Sequence, residues 1–180
     1  MNLRQISNEQ LYDGFSGKIV SERAMTADVV EYIREIDRRR LFVSYGYTSL
    51  FDFLTKHFGY TNASAQRRID AARMMSDIPG LKADLESGEL NLSQIAILAR
   101  SVREKQKETK VSSAEKQKIV AAIKNQDLSS SELAICQMLD IEPKKHERRK
   151  IQKDESVLIE SPFSKEQMAI LKEVKESISH

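Results

Sequence analysis

Three arginines, a glutamine and a serine at helical spacing are the side chains here best suited to chemistry with a polyanion. They lie in Tyr60-Thr-Asn-Ala-Ser-Ala-Gln-Arg-Arg-Ile-Asp-Ala-Ala-Arg73. A helix that reads DNA needs arginine or lysine for phosphates and guanine edges, and asparagine or glutamine for adenine edges. Gln66, Arg67 and Arg73 meet that requirement on one side of the helix, and Ser64 near its start is placed to bind phosphate. Arg68 falls toward the flank, where a backbone contact is expected. A second cationic group lies far downstream: Lys144, Lys145, Arg148, Arg149, Lys150 and Lys153 exceed Glu142 and Glu147 by four charges over residues 142–153. Such a run can track a phosphate backbone without reading sequence.

Each group also has a plainer reading. A helix with two or three exposed arginines commonly shows only a solvated face, and Asp70 is spaced to pair with Arg67 or Arg73. The downstream run serves equally well as a solvated linker.

No catalytic constellation accompanies these cations. His57, His146 and His180 are scattered, and none stands beside a carboxylate at a metal-binding spacing. His57 falls at a helix end, where it complements the dipole. There is no Gly-rich phosphate loop, nucleophile elbow or His-Glu-x-x-His, so no enzyme activity, metal or cofactor is expected. The single cysteine, Cys136, excludes an intrachain disulfide and a multi-cysteine zinc knuckle. Its apolar setting, Leu133-Ala-Ile-Cys-Gln-Met-Leu139, predicts a small buried hydrophobe.

The elements that must position these residues read as helices. Ser7 is an N-cap with Gln10 at the capping-box position, followed by Leu11, Phe15 and Ile19 on one face. Val29, Val30, Ile33 and Ile36 form the stripe of a helix starting near Thr26 and ending at Arg38-Arg39-Arg40. Residues Ser21–Met25 fit either a break or one long helix. Gly46 and Thr48-Ser49 open a helix from Leu50 to Phe58 that buries Leu50, Phe53, Leu54 and Phe58. Gly59 makes the turn, and Thr61 caps the arginine helix, predicted to reach about Ser76. Its inward stripe is Ala65, Ile69, Ala72 and Met75, while Gln66, Arg67, Asp70 and Arg73 face out. This pair is helix-turn-helix-like over about residues 49–76, with a turn longer than the tightest form.

Further helices run over Leu81–Ser87, from Asn91 through Val102, from Ser112 or Ser113 through Ile123, and from Ser129 or Ser130 through Leu139. Residues 103–110 are charged without a clean apolar period. The predicted organisation is a mainly α domain over residues 1–140, a basic linker over 141–153, and a strand–helix appendage over 154–180. Its one strand, Ser156–Glu160, needs a partner for its backbone groups, expected from a second copy or from residues missing from this chain.

Composition agrees with this class. Glycine and proline are few, at 6 and 3, and tryptophan is absent, which disfavours an all-β sandwich. The net charge of +2 hides an uneven distribution: residues 100–153 carry +6 and residues 154–180 carry −3. That imbalance suits a polyanionic partner. No apolar run approaches the ~20 residues that span a bilayer, and the N-terminus lacks a signal-peptide core. A cytoplasmic protein is expected.

From Ser21-Glu-Arg-Ala-Met-Thr-Ala-Asp-Val-Val30 to Leu98 the chain resembles the N-terminal helical domain of a bacterial HNH endonuclease family. The resemblance rests on Glu35-Ile-Asp-Arg-Arg-Arg-Leu-Phe42, Gly46-Tyr-Thr-Ser-Leu-Phe-Asp-Phe53, Gly59 to Arg73, and Glu86-Ser-Gly-Glu-Leu-Asn-Leu-Ser93, in that order. The last two are also similar to a DNA-binding segment of chromosome-partition proteins. The resemblance implies a DNA-associated helical module with double-stranded DNA as its partner. No residue matches the paired histidines and asparagine of an HNH site, so cleavage is not carried over. Two rival readings stand beside this one: a helical scaffold or dimerisation module, pairing copies through residues 154–180, and a fragment of an active HNH endonuclease.

Overall fold

The computed structural model describes residues 2–142, 148–152, 154, 156–160 and 163–178, with the backbone alone at 148–150, 159, 160, 165 and 178. The fold is mainly α, in two units, Met1–Ile141 and Glu142–His180.

In the first unit, local caps start most helices. Ser7 Oγ accepts the Gln10 amide proton, and the Gln10 side chain accepts that of Ser7, both at 3.1 Å. From this box, α1 (Asn8–Arg39) runs 32 residues without a break, so Ser21–Met25 continues the helix. Those five residues include no glycine or proline to stop it. Only Ala27, Val30 and Ile33 of α1 are buried, because α4 and α5 pack on its second half. Leu11, Tyr12 and Phe15 remain exposed.

After α1 come a short helix, α2 (Leu41–Ser44), and α3 (Leu50–Asp52), which continues as π-helix over Phe53–His57. Gly59 turns the chain at φ 72°, a conformation that costs glycine least. Phe58, expected inside, is exposed, because the turn carries it off the buried face of Leu50, Phe53 and Leu54.

The centre of the unit is α4 (Asn62–Asp77), capped by Thr61. Its predicted stripe of Ala65, Ile69, Ala72 and Met75 is buried, together with Ala71 and Met74. Three alanines on this surface let neighbouring axes approach closely. α1 packs on one side of α4 and α6 on another. Asp70, expected outside, is 3% exposed.

α5 (Leu81–Ser87) lies between Gly80 and Gly88, both left-handed. α6 (Leu92–Lys105) starts at Asn91, with Ile95, Leu98, Ala99 and Val102 inside. α7 (Ser113–Ile123) is capped by Ser112, and α8 (Leu128–Leu139) by Asp127 instead of Ser129 or Ser130. A carboxylate is the stronger acceptor for the Ser130 amide, 2.9 Å away. α8 is covered on one face only, so Ile135 and Leu139 are buried while Leu133 and Met138 are exposed. Cys136 is buried, which raises its thiol pKa.

Gln94 joins α6, α7 and α8. It is 1% exposed, and its Nε2 donates to the Ile123 carbonyl at 3.0 Å, the Gln126 carbonyl at 2.9 Å and Ser131 Oγ at 2.9 Å. Its Oε1 accepts the Asn91 amide proton at 2.9 Å.

In the second unit, β1 (Arg148–Ile151) pairs antiparallel with β2 (Val157–Glu160), Arg148 opposite Glu160 and Ile151 opposite Val157. The strand therefore finds its partner within the chain, and part of the expected linker is that partner. Unbroken charge at residues 148–150 gave β1 no alternating signature. Ser164 caps α9 (Lys165–Ile178).

Gln94→Leu keeps the volume but removes four hydrogen bonds at the α6–α7–α8 junction, and the Gln126 carbonyl and Asn91 amide lose the side-chain partner that meets them there. It is expected to lower unfolding free energy by about 2–4 kcal/mol. Urea denaturation checks this, and a loss below about 0.5 kcal/mol would contradict the role given to Gln94.

Candidate nucleic-acid interface

A buried carboxylate decides which α4 side chains are free. Asp70 faces α6, where Arg103 Nη1 donates to its Oδ1 at 2.6 Å and Nη2 approaches Oδ2 at 3.4 Å. Gln66 Nε2 donates to the same Oδ1 at 2.9 Å. A carboxylate out of water needs such partners. Asp70 therefore pairs with a cation from another helix, and with neither Arg67 nor Arg73.

The five residues singled out on α4 separate into distinct environments. Gln66 is exposed, but its amide is engaged by Asp70. Arg73 Nε pairs with Asp37 Oδ2 on α1 at 3.0 Å. Arg68 Nη1 donates to the Ser64 hydroxyl and, at 3.3 Å, to the Ser64 carbonyl. The Arg68 guanidinium carbon lies 4.7 Å from the Tyr60 ring centre, a cation–π contact, and its Nε is buried without a partner. Arg67, half-buried, has no hydrogen bond or ion pair among the described residues.

Ser64, Arg67 and Arg68 come together in one groove of about 840 Å³ formed by α1, α4, α5 and the start of α6. Arg23 of α1 joins them, and among the described residues Glu22 is the only carboxylate lining it. Arg23 Nη1 donates to the Ser87 carbonyl at 3.1 Å, and its guanidinium lies across Gly88. A Cβ on Gly88 would sit 2.4 Å from Arg23 Cζ, so glycine is what admits the arginine there. Arg73 belongs elsewhere, in a pocket of about 410 Å³ near the α1–α2 junction, with Arg34, Arg38 and Arg40.

The downstream cations divide differently. Arg148, Arg149 and Lys150 lie on β1 of a two-stranded antiparallel ribbon. Lys144 and Lys145 lie outside the described residues. His57 is packed among aromatic rings: it stacks on Phe53 at 5.1 Å, meets Phe58 edge-on at 4.9 Å, and its Nδ1 is 3.5 Å from the Tyr47 hydroxyl. Among the described residues, no group of three or more His, Cys, Asp or Glu is placed to hold a metal ion. Among them, too, no helix is long and apolar enough to cross a membrane.

Sequence reading missed Arg23, Arg40 and Arg103. Arg23 stands in a stretch without helix-face contrast, and Arg103 opens the charged run that lacks an apolar period. Arg40 looked like the last of three cations answering the α1 dipole.

Residues 19–173 match the family described as Domain of unknown function (DUF222). The chain belongs to that family. The match takes in both units of this DUF222 chain, from the groove-lining part of α1 into α9. No curated protein and no solved structure matches it.

The Asp70 pair is asymmetric, and that asymmetry is measurable. Arg103→Ala leaves a buried charge supported by Gln66 alone, whereas Asp70→Asn removes the charge and keeps the shape. Arg103→Ala is expected to cost about 1–3 kcal/mol, and more than Asp70→Asn, in chemical denaturation. The reverse order would show that the carboxylate is not held by Arg103.

Proposed function

We propose that this chain is a non-catalytic module that associates with double-stranded DNA, of the kind that precedes the nuclease in HNH endonucleases. One observation carries the reading: Arg23, Arg67 and Arg68 line a concave surface in which, among the described residues, Glu22 is the only carboxylate. Concave walls of low dielectric focus the field of such a cluster and attract phosphates. Ser64 and Ser93 bring hydroxyl donors to the same lining. Among the described residues Arg67 has no partner to leave, so its guanidinium meets a phosphate without breaking a bond seen there. Gln66 and Arg73 are poorer contacts than their exposure suggests, because each must first give up a carboxylate. The β1 ribbon, with Arg148 and Arg149, supports the reading as a second contact, since a two-stranded ribbon fits the major groove.

A second reading has its own observation. Ile151, Val157 and Leu158 of the ribbon and Met168, Ile170 and Val174 of α9 are exposed. A two-stranded ribbon and one helix bury little by themselves, so a second copy of the chain pairing through residues 154–180 is a reasonable occupant. Sedimentation of the full chain tests this. A dimer that Val174→Asp converts to a monomer supports it, and a monomer across the micromolar range removes it.

For the DNA reading, the test is binding to a short duplex at several salt concentrations. Arg67→Ala is expected to weaken binding about tenfold at moderate salt and to reduce the slope of log K against log salt by about 1. Arg73→Ala is expected to do less. Unchanged affinity and slope for Arg67→Ala would take the groove out of consideration.

A further inference from the structure

The pocket that receives Arg73 has no assigned role, and it gathers cations more densely than the groove does. Arg34, Arg38, Arg40 and Arg73 line it, with Asp37 as the only carboxylate of the lining among the described residues. Widening the count to the ion-pair partners adds Arg39 on one side and Glu31 and Glu35 on the other. Five arginines then face three carboxylates. Arg34 is taken by Glu31, Arg38 and Arg39 by Glu35, and Arg73 by Asp37. Arg40 is left: its side chain has no hydrogen bond or ion pair among the described residues.

Its backbone is equally unusual. Arg40 has φ 53° and ψ 35°, where it both ends α1 and begins α2. Two other non-glycine residues have positive φ, Asn125 and Asp140. Short polar side chains such as theirs tolerate that region far better than arginine does. Glycine or asparagine is the usual occupant of such a helix end. The α1 dipole alone accounts poorly for a fifth arginine, since it amounts to roughly half a negative charge and the surplus here is two positive charges. An arginine kept in a costly backbone conformation, with its guanidinium uncommitted over a pocket floored by the buried Phe42, is arranged for an external anion. Planar guanidinium forks favour a phosphate over a spherical anion.

We propose that the α1–α2 junction is a phosphate-binding site in which Arg40 supplies the uncommitted guanidinium and Arg73, Arg38 and Arg34 form the walls. This site is separate from the Arg67 groove and does not depend on the DNA reading.

The test uses the full chain and inorganic phosphate, with chloride at matched ionic strength as the control. Millimolar phosphate is expected to raise the thermal midpoint of the native chain above the chloride control. Arg40→Gly is expected to unfold a few degrees higher than the native chain without phosphate, because glycine relieves the left-handed strain. The same variant should lose at least three quarters of the phosphate-induced rise. Arg40→Lys, which keeps the charge, should retain half or more, and Lys118→Ala, an exposed cation that lines neither the pocket nor the groove, should retain all of it. A native chain that phosphate stabilises no more than chloride does would overturn the proposal, and so would an Arg40→Gly variant that keeps the full rise. Competition with one short duplex, in 5′-phosphorylated and 5′-hydroxyl forms, identifies the source. Displacement of phosphate by the phosphorylated form alone assigns a terminal phosphate, displacement by both a backbone phosphate, and displacement by neither a free phosphate.

Discussion

Asp70 is the constraint around which the polar chemistry of the helical unit is arranged. A carboxylate that is 3% exposed must be met by donors that reach it inside the fold. Arg103 from α6 and Gln66 from the preceding turn of α4 supply them. Docking α4 between α1 and α6 through its alanine-rich surface brings Arg103 within reach, and the resulting ion pair holds the two helices in one rotational setting. That setting then determines what every other polar side chain of α4 sees. Arg73 turns toward Asp37 of α1, Arg68 folds back on Ser64 and Tyr60, and Arg67 faces the groove.

The outcome differs from a helix that presents all its cations in a row. Four of the five side chains that could contact a nucleic acid are engaged within the chain, so formal charge overstates the attraction available. Arg38 and Arg39 show the same effect. Their hydrogen bonds, Arg38 first, lower the Glu35 pKa from 4.5 to about 2, so the carboxylate keeps both arginines occupied across the ordinary pH range. Any stability from that cluster is present above pH 4.5 and disappears only as pH falls toward 2. What distinguishes Arg67 and Arg40 is therefore not charge but the absence of a neighbour that neutralises it.

Much of this fold was legible in the residues. Ser7 with Gln10, Thr61 and Asn91 declared helix starts because capping is settled within four positions of the chain. Gly59 marked a turn for the same local reason, and the stripe of α4 followed from helical periodicity. Features set at a distance were not legible. Asp70 is spaced like an exposed member of an ion-paired face, and its burial depends on an arginine 33 residues away in a stretch without an apolar pattern. β1 consists of three cations and an isoleucine and reads as solvated coil until Val157–Glu160 lies beside it. The free state of Arg40 emerges only once each neighbouring arginine is seen with its own carboxylate.

The guanidinium Nε–H resonances of the arginines, followed by NMR while a short DNA duplex is added, test the division between engaged and free cations most directly. A shift at Arg67, with Arg103 and Arg73 held in place, is the predicted result. Shifts at Arg103 or Arg73 with Arg67 unmoved would contradict it.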